Sequence, residues 1–160
     1  MPRVGYDKNG LLVSIPVKRR LLMDSFTKCE FRVKYLLGAK PKLGSLFFKE
    51  SDCSGFVRWL VHEATEGVTT MPDGSYHQAN WCIKQGFKKV AYKQSACMRD
   101  DRLRIAFIAP NSEGVGHVWL IFNGQTMESC GGRGVCRRPW SNKLLLSTVS
   151  SCFVLTDTLI

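Results

Sequence analysis

His117-Val118-Trp119-Leu120-Ile121-Phe122, the dipeptide Asn123-Gly124, and Gln125-Thr126-Met127-Glu128-Ser129 read as a β-hairpin with a two-residue turn. Both central residues of a type I′ turn need positive φ, which Asn-Gly tolerates, and such a turn dictates strand register as well as strand existence. Phe122 must pair with Gln125, and stepping outward brings Trp119 opposite Glu128 and His117 opposite Cys130. Paired residues share a face, and residues two apart along a strand share it too. His117, Trp119, Glu128 and Cys130 therefore fall together, with Ser129 on the opposite face. Glu128 is the diagonal neighbour of His117, about 7–8 Å away along the backbone, a gap that a glutamate side chain bridges.

The rest of the chain arranges helices before this hairpin and strands around it. Asp52-Cys53-Ser54-Gly55-Phe56-Val57 reads as a helix start, with Asp52 as N-cap. Phe56, Leu60 and Ala64, flanked by Val57 and Val61, form an apolar face behind it. An earlier helix is expected from Ser25 to Leu37, on the stripe Phe26, Cys29, Val33, Leu36 and Leu37, closed by Gly38. A short third helix is expected from His77 to Gln85, stopped by Gly86. Residues 1–23, with Gly5, Gly10 and Pro16, read as an arm or edge strand. Arg102 to Ala109 alternates as a strand with Leu103, Ile105 and Phe107 inward, and Leu144–Leu146 and Cys152–Leu155 read as further strand. Helices followed by antiparallel strands make an α+β fold, and 160 residues are expected to form one domain spanning 1–160.

Composition narrows the function classes. Lys and Arg number 23 against 13 Asp and Glu, a net charge of +10, which favours polyanionic surroundings. The basic residues are scattered, and no arginine–aromatic interleaving points to nucleic acid; Trp59, Trp81, Trp119 and Trp140 read as core or groove walls. The seven cysteines (29, 53, 82, 97, 130, 136, 152) include no CxxC pair and no histidine at zinc-finger spacing, so a structural zinc site is not expected and most are expected to be buried thiols. No signal-like apolar segment follows the polar start, and no apolar run is long enough to span a membrane.

A thiol at position 53 sits at the positive end of its helix dipole, which favours thiolate. Nucleophile at a helix N-terminus, histidine opening a later strand and polar residue on the neighbouring strand is the order of a papain-like thiol hydrolase. Asp52-Cys53-Ser54-Gly55-Phe56-Val57 resembles the nucleophile motif of the NlpC/P60 cell-wall peptidases, and Gly116-His117-Val118 resembles their histidine motif. Met127 to Val135 is similar to the segment carrying their third polar residue, and Tyr35-Leu36-Leu37-Gly38-Ala39 to the aromatic-containing segment before the nucleophile. The third position is most often His in that family, and here it falls on Glu128.

The resemblance implies a papain-like fold with the nucleophile helix packed on an antiparallel sheet. It makes Cys53 the nucleophile, His117 the base and then acid, and Glu128 the orienter, with Tyr35 and Ser54 lining the site. The implied reaction is hydrolysis of a stem-peptide bond of peptidoglycan, with no metal or organic cofactor, by a monomer acting in the periplasm or cell wall. Without a leader, delivery would fall to a phage apparatus or a secretion system, and an antibacterial toxin would carry a cognate immunity protein. An amidase, deamidase or acyltransferase acting on a protein or lipid amide is the alternative enzyme reading. A basic wall- or partner-binding module with a decayed site is the non-enzyme one. The plain alternatives for the individual residues are a buried structural thiol, a structural strand histidine and a solvent-facing carboxylate.

Overall fold

The structure, a computed structural model, describes residues 13–91, 99–139 and 149–160. Cys97, Trp140 and the strand expected at Leu144–Leu146 lie outside them, as do residues 1–12 of the expected arm. The elements are α1 (Arg19–Cys29), β1 (Lys34–Tyr35), β2 (Glu50–Ser51), α2 (Cys53–Ala64), α3 (Ser75–Gln85), β3 (Lys88–Lys89), β4 (Leu103–Ile108), β5 (His117–Phe122), β6 (Gln125–Cys130), β7 (Gly134–Cys136) and β8 (Ser151–Thr156). Among the described residues, six strands form an antiparallel sheet in the order β3-β8-β4-β5-β6-β7, while β1 and β2 make a separate parallel pair. The α+β expectation holds: α1 and α2 pack together and α2 lies across β5 and β6.

The core explains the order. Phe56, Val57, Leu60, Val61 and Ala64 of α2 are fully buried against one sheet face, where Leu103, Ile105, Val118, Leu120 and Met127 meet them. Phe26 of α1 packs edge-on to Phe56, with ring centroids 6.1 Å apart. The other sheet face is also covered, by a smaller cluster of Ala106, Trp119, Ile121 and Cys152. Arg104, on that second face, is buried and pairs with Asp100 through two contacts of 2.9 and 2.8 Å.

The hairpin follows its turn. Asn123 and Gly124 adopt φ of 54° and 76°, and the ladder pairs Phe122 with Gln125, Ile121 with Thr126 and Leu120 with Met127. Asp52 caps α2 by accepting from the Gly55 N–H at 2.8 Å, and Gly86 ends α3 in the left-handed conformation.

The first helix differs from expectation. It spans Arg19–Cys29 rather than Ser25 to Leu37, so residues 19–23 belong to a helix and not to an arm. The apolar stripe is shared by two structures. Phe26 and Cys29 are buried from the helix, but Phe31 turns the chain with φ of 63°. The Phe31 N–H then donates to the Val135 carbonyl at 2.9 Å, leaving Val33 buried from the bend before β1 and Leu36 and Leu37 exposed. Tyr35 accordingly stands on β1 and not on a helix.

Candidate active site

The first turn of α2, the start of β5 and the end of β6 converge on one point. The Cys53 thiol, mostly buried, stands beside the His117 ring and interacts with it electrostatically. His117 Nε2 is 3.0 Å from Oε1 of Glu128, which leaves Nδ1 as the ring nitrogen for the thiol. Glu128 is fully buried, so the solvent-facing alternative for it does not apply. The His117 ring also lies 5.2 Å from that of Trp119, so this one face gathers the residues that the hairpin arithmetic grouped.

A buried carboxylate must be compensated, and Arg138 does so. Its Nε donates to Oε2 of Glu128 at 2.9 Å and its Nη2 to Oε1, a bidentate pairing that fixes the carboxylate plane. Burial alone would raise the Glu128 pKa, but the hydrogen bonds from His117 and Arg138 outweigh it and hold the group at about 2. Burial likewise opposes protonation of His117, yet its bonds to Cys53 and Glu128 lift the ring to about 9. At neutral pH the ring is therefore imidazolium, pinned between a permanent carboxylate and the sulfur. Such a pair can deliver a nucleophilic sulfur and a proton to the same substrate atom group.

Three further contacts bring the segments together. The Ser129 hydroxyl, pointing to the opposite face from Glu128, donates to the Ser51 carbonyl at 2.9 Å and so ties β6 to the residues preceding Cys53. Gly116 lets His117 start its strand against β4: a side-chain carbon there would lie 2.6 Å from the Ile108 carbonyl oxygen. On the other side of the helix start, Asp52 is buried and accepts from Lys40 Nζ at 2.6 Å, from the Gly38 N–H at 3.2 Å and from the Gly55 N–H. Lys40 also reaches Asp73 at 3.1 Å and the Ser54 hydroxyl at 2.8 Å.

The expected site residues thus separate into two groups. Cys53, His117 and Glu128 come together, and half-buried Tyr35 stands close by; burial raises its pKa and the neighbouring Cys53 and Asp52 add to that. The Ser54 side chain instead belongs to the Lys40–Asp52 network under the helix start. Cys130 is half-buried beside the site, with its sulfur 3.7 Å from that of Cys136. Arg138 escaped sequence reasoning because it lies beyond a second turn of unspecified type. The register that places Cys136 opposite Glu128 would have pointed to it. No group of three or more His, Cys, Asp or Glu is placed to hold a metal among the described residues. Nor is any helix among them long and apolar enough to cross a membrane.

No protein-family model and no curated protein matches the sequence. Among solved structures, the chain is similar to a protein described as similar to lipoprotein, of the NLP/P60 family, from Staphylococcus aureus subsp. aureus Mu50. The match has a TM-score of 0.57 at 16% identity and covers 91% of this chain but 45% of that one. The chain thus spans about half the length of that neighbour and shares the NlpC/P60 fold with it.

Proposed function

We propose that this chain is a cysteine hydrolase of amide bonds, and that its substrate is the stem peptide of bacterial peptidoglycan. The observation that carries the reading is His117, bridged at Nε2 to a fully buried Glu128 while the Cys53 thiol meets the same ring. A thiolate alone would be a generic reactive cysteine. A cysteine sulfur facing an imidazolium whose second nitrogen is fixed is equipped for acyl transfer. The motif resemblance to NlpC/P60 peptidases and the shared fold favour the peptide of the cell wall as acyl donor, and a net charge of +10 suits a wall of carboxylates and anionic polymers.

In this reading the Cys53 sulfur attacks the scissile carbonyl, and the oxyanion forms at the N-terminus of α2. There the Gly55 N–H is already taken by Asp52 and the Phe56 N–H by the Asp52 carbonyl. The Cys53 and Ser54 N–H groups are the proposed oxyanion donors, each worth about 10²–10³ in rate. His117 passes its proton to the leaving amine, leaving a thioester. Water, deprotonated by His117, then releases the carboxylate product and restores the thiol. A slot of about 160 Å³ between α3 and the ends of β4 and β8, walled by Tyr76, Ala79, Phe107, Ile108 and Pro110, borders Gly116 through Ile108 and Pro110. It is the proposed seat for an apolar group of the substrate. Delivery to the wall by a phage or secretion apparatus belongs to the same reading.

The test is incubation with defined muropeptides followed by mass spectrometry, using the Cys53→Ala protein as control. A new fragment pair with the intact chain and none with the variant is the expected result. Equal cleavage by the variant would overturn the mechanism. Transfer of an acyl group to an added amine, without hydrolysis, would move the assignment to the amide-transfer reading.

A further inference from the structure

The strands that carry Glu128 and Arg138 toward His117 also bring two other cysteines together. Cys130 closes β6 opposite Gly134, and Cys136 stands opposite Glu128, so the two are diagonal neighbours on the face that holds the buried carboxylate. Their sulfurs are 3.7 Å apart, against the roughly 2.03–2.05 Å of a disulfide. Less than 2 Å of approach, within the play of two χ1 rotations, separates the dithiol from the bond. The turn of residues 131–133 between them is short and exposed, so the ends can yield without disturbing the core.

We propose that Cys130 and Cys136 form a reversible oxidation site, in which Cys130 attacks a hydroperoxide and Cys136 resolves the resulting sulfenic acid as an intramolecular disulfide. The chemistry balances in two steps. The Cys130 thiolate attacks the distal peroxide oxygen, breaking the O–O bond and releasing an alcohol or water after proton uptake, with sulfenic acid left on Cys130. The Cys136 sulfur then attacks that sulfenic sulfur and expels hydroxide, which takes up the Cys136 proton as water. Two thiols lose two electrons and one peroxide gains them.

The surroundings set the direction of attack. Cys130 is half-buried whereas Cys136 is buried, so only the first is open to an oxidant. The hydrogen bond from Cys136 draws the Cys130 thiol down to about 7, burial and the Glu128 charge opposing, while Arg138 and His117 add positive charge beside it; Cys136 moves up as the retained donor. Cys29 and Cys152 are buried and shifted up by burial, to about 11 and about 12, and Cys82 is shifted up as well. These thiols are protonated and shielded, which leaves, among the described residues, the Cys130–Cys136 pair as the oxidisable site besides Cys53. The inference holds whether or not Cys53 is a nucleophile.

The test uses the full-length Cys53→Ala protein, titrated with hydrogen peroxide, alkylated and digested with trypsin. Cleavage after Arg104, Arg133 and Arg137 puts Cys130 in peptide 105–133 and Cys136 in peptide 134–137, each with a single cysteine. The expected product is these two peptides joined, at about one equivalent of peroxide, with dithiothreitol restoring both alkylated forms. In Cys136→Ser the link disappears and dimedone labels Cys130 in its place. Oxidation of Cys130 to sulfinic acid with no link, a link to any other cysteine or between chains, or peroxide-resistant alkylation of both sulfurs would each overturn the proposal.

Discussion

Two carboxylates flank the start of α2, and their surroundings differ. Glu128 is fully buried and held by His117 and by both forks of Arg138. Asp52 is almost as buried, yet its cation, Lys40, keeps a third of its side chain exposed and divides itself among Asp52, half-exposed Asp73 and Ser54. Asp52 spends its oxygens on the helix backbone and on a loop. Glu128 spends its own on a ring that can titrate and a guanidinium that cannot. Burial of a charge therefore does not mark chemistry here; the identity of the cation facing it does. The Asp52 cluster builds the platform on which Cys53 stands, and the Glu128 cluster sets the state of the group that meets it.

The largest effect that separates the two clusters concerns turnover in the proposed reaction. His117→Ala should lower kcat/KM on muropeptide by about 10²–10⁴ with the melting curve nearly unchanged. Asp52→Ala should cost about 0.5–2 kcal/mol of stability through the lost cap, with a smaller loss of rate. Equal losses of rate would erase the distinction between platform and chemistry.

Next in size is the contrast between the cations. Arg138→Ala leaves Glu128 buried with one arm of support, a change that costs about 3–5 kcal/mol for a broken buried pair. Lys40→Met should cost about 1–2 kcal/mol, since Asp52 keeps its two backbone donors and the lysine is partly solvated. Urea unfolding of both variants at pH 7 measures the gap, and a larger loss for Lys40→Met would reverse the reading.

The smallest effect is a displacement along the pH axis. With His117 at about 9, the alkaline limb of the activity profile should lie there, as imidazolium is lost. Glu128→Gln removes one of the charges that raise the ring, so the limb moves to lower pH; a fixed limb would exclude Glu128 as the orienter. The signs for stability are opposite for the two groups. Glu128, depressed from 4.5 to about 2, contributes stability present above 4.5 and lost as pH falls toward 2. His117, raised from 6.5 to about 9, contributes stability present below 6.5 and lost as pH rises through 9.

What could be read ahead of the structure was whatever local chemistry determines. The Asn123-Gly124 turn specifies its own register, so the His117–Glu128 bond follows from counting, and Asp52 caps α2 within one turn of chain. The position of α1 could not be read this way. Its stripe of Phe26, Cys29 and Val33 is buried as expected, but a hydrogen bond from Phe31 to Val135, across the molecule, ends the helix early. Arg138 and Lys40 were illegible for the same reason: each reaches its carboxylate through tertiary packing, and no periodicity records a partner met that way.

The Ser129–Ser51 bond joins residues 78 positions apart, while α2 and the hairpin are each closed by neighbours in sequence. Local elements can form before a loop of that length is closed, because closing it costs entropy that only later contacts repay. During refolding, helical and sheet signals should accordingly recover ahead of turnover in the proposed reaction. The delay between them would time the docking of the hairpin on the helix start, making the reaction itself a clock for the final long-range step of folding.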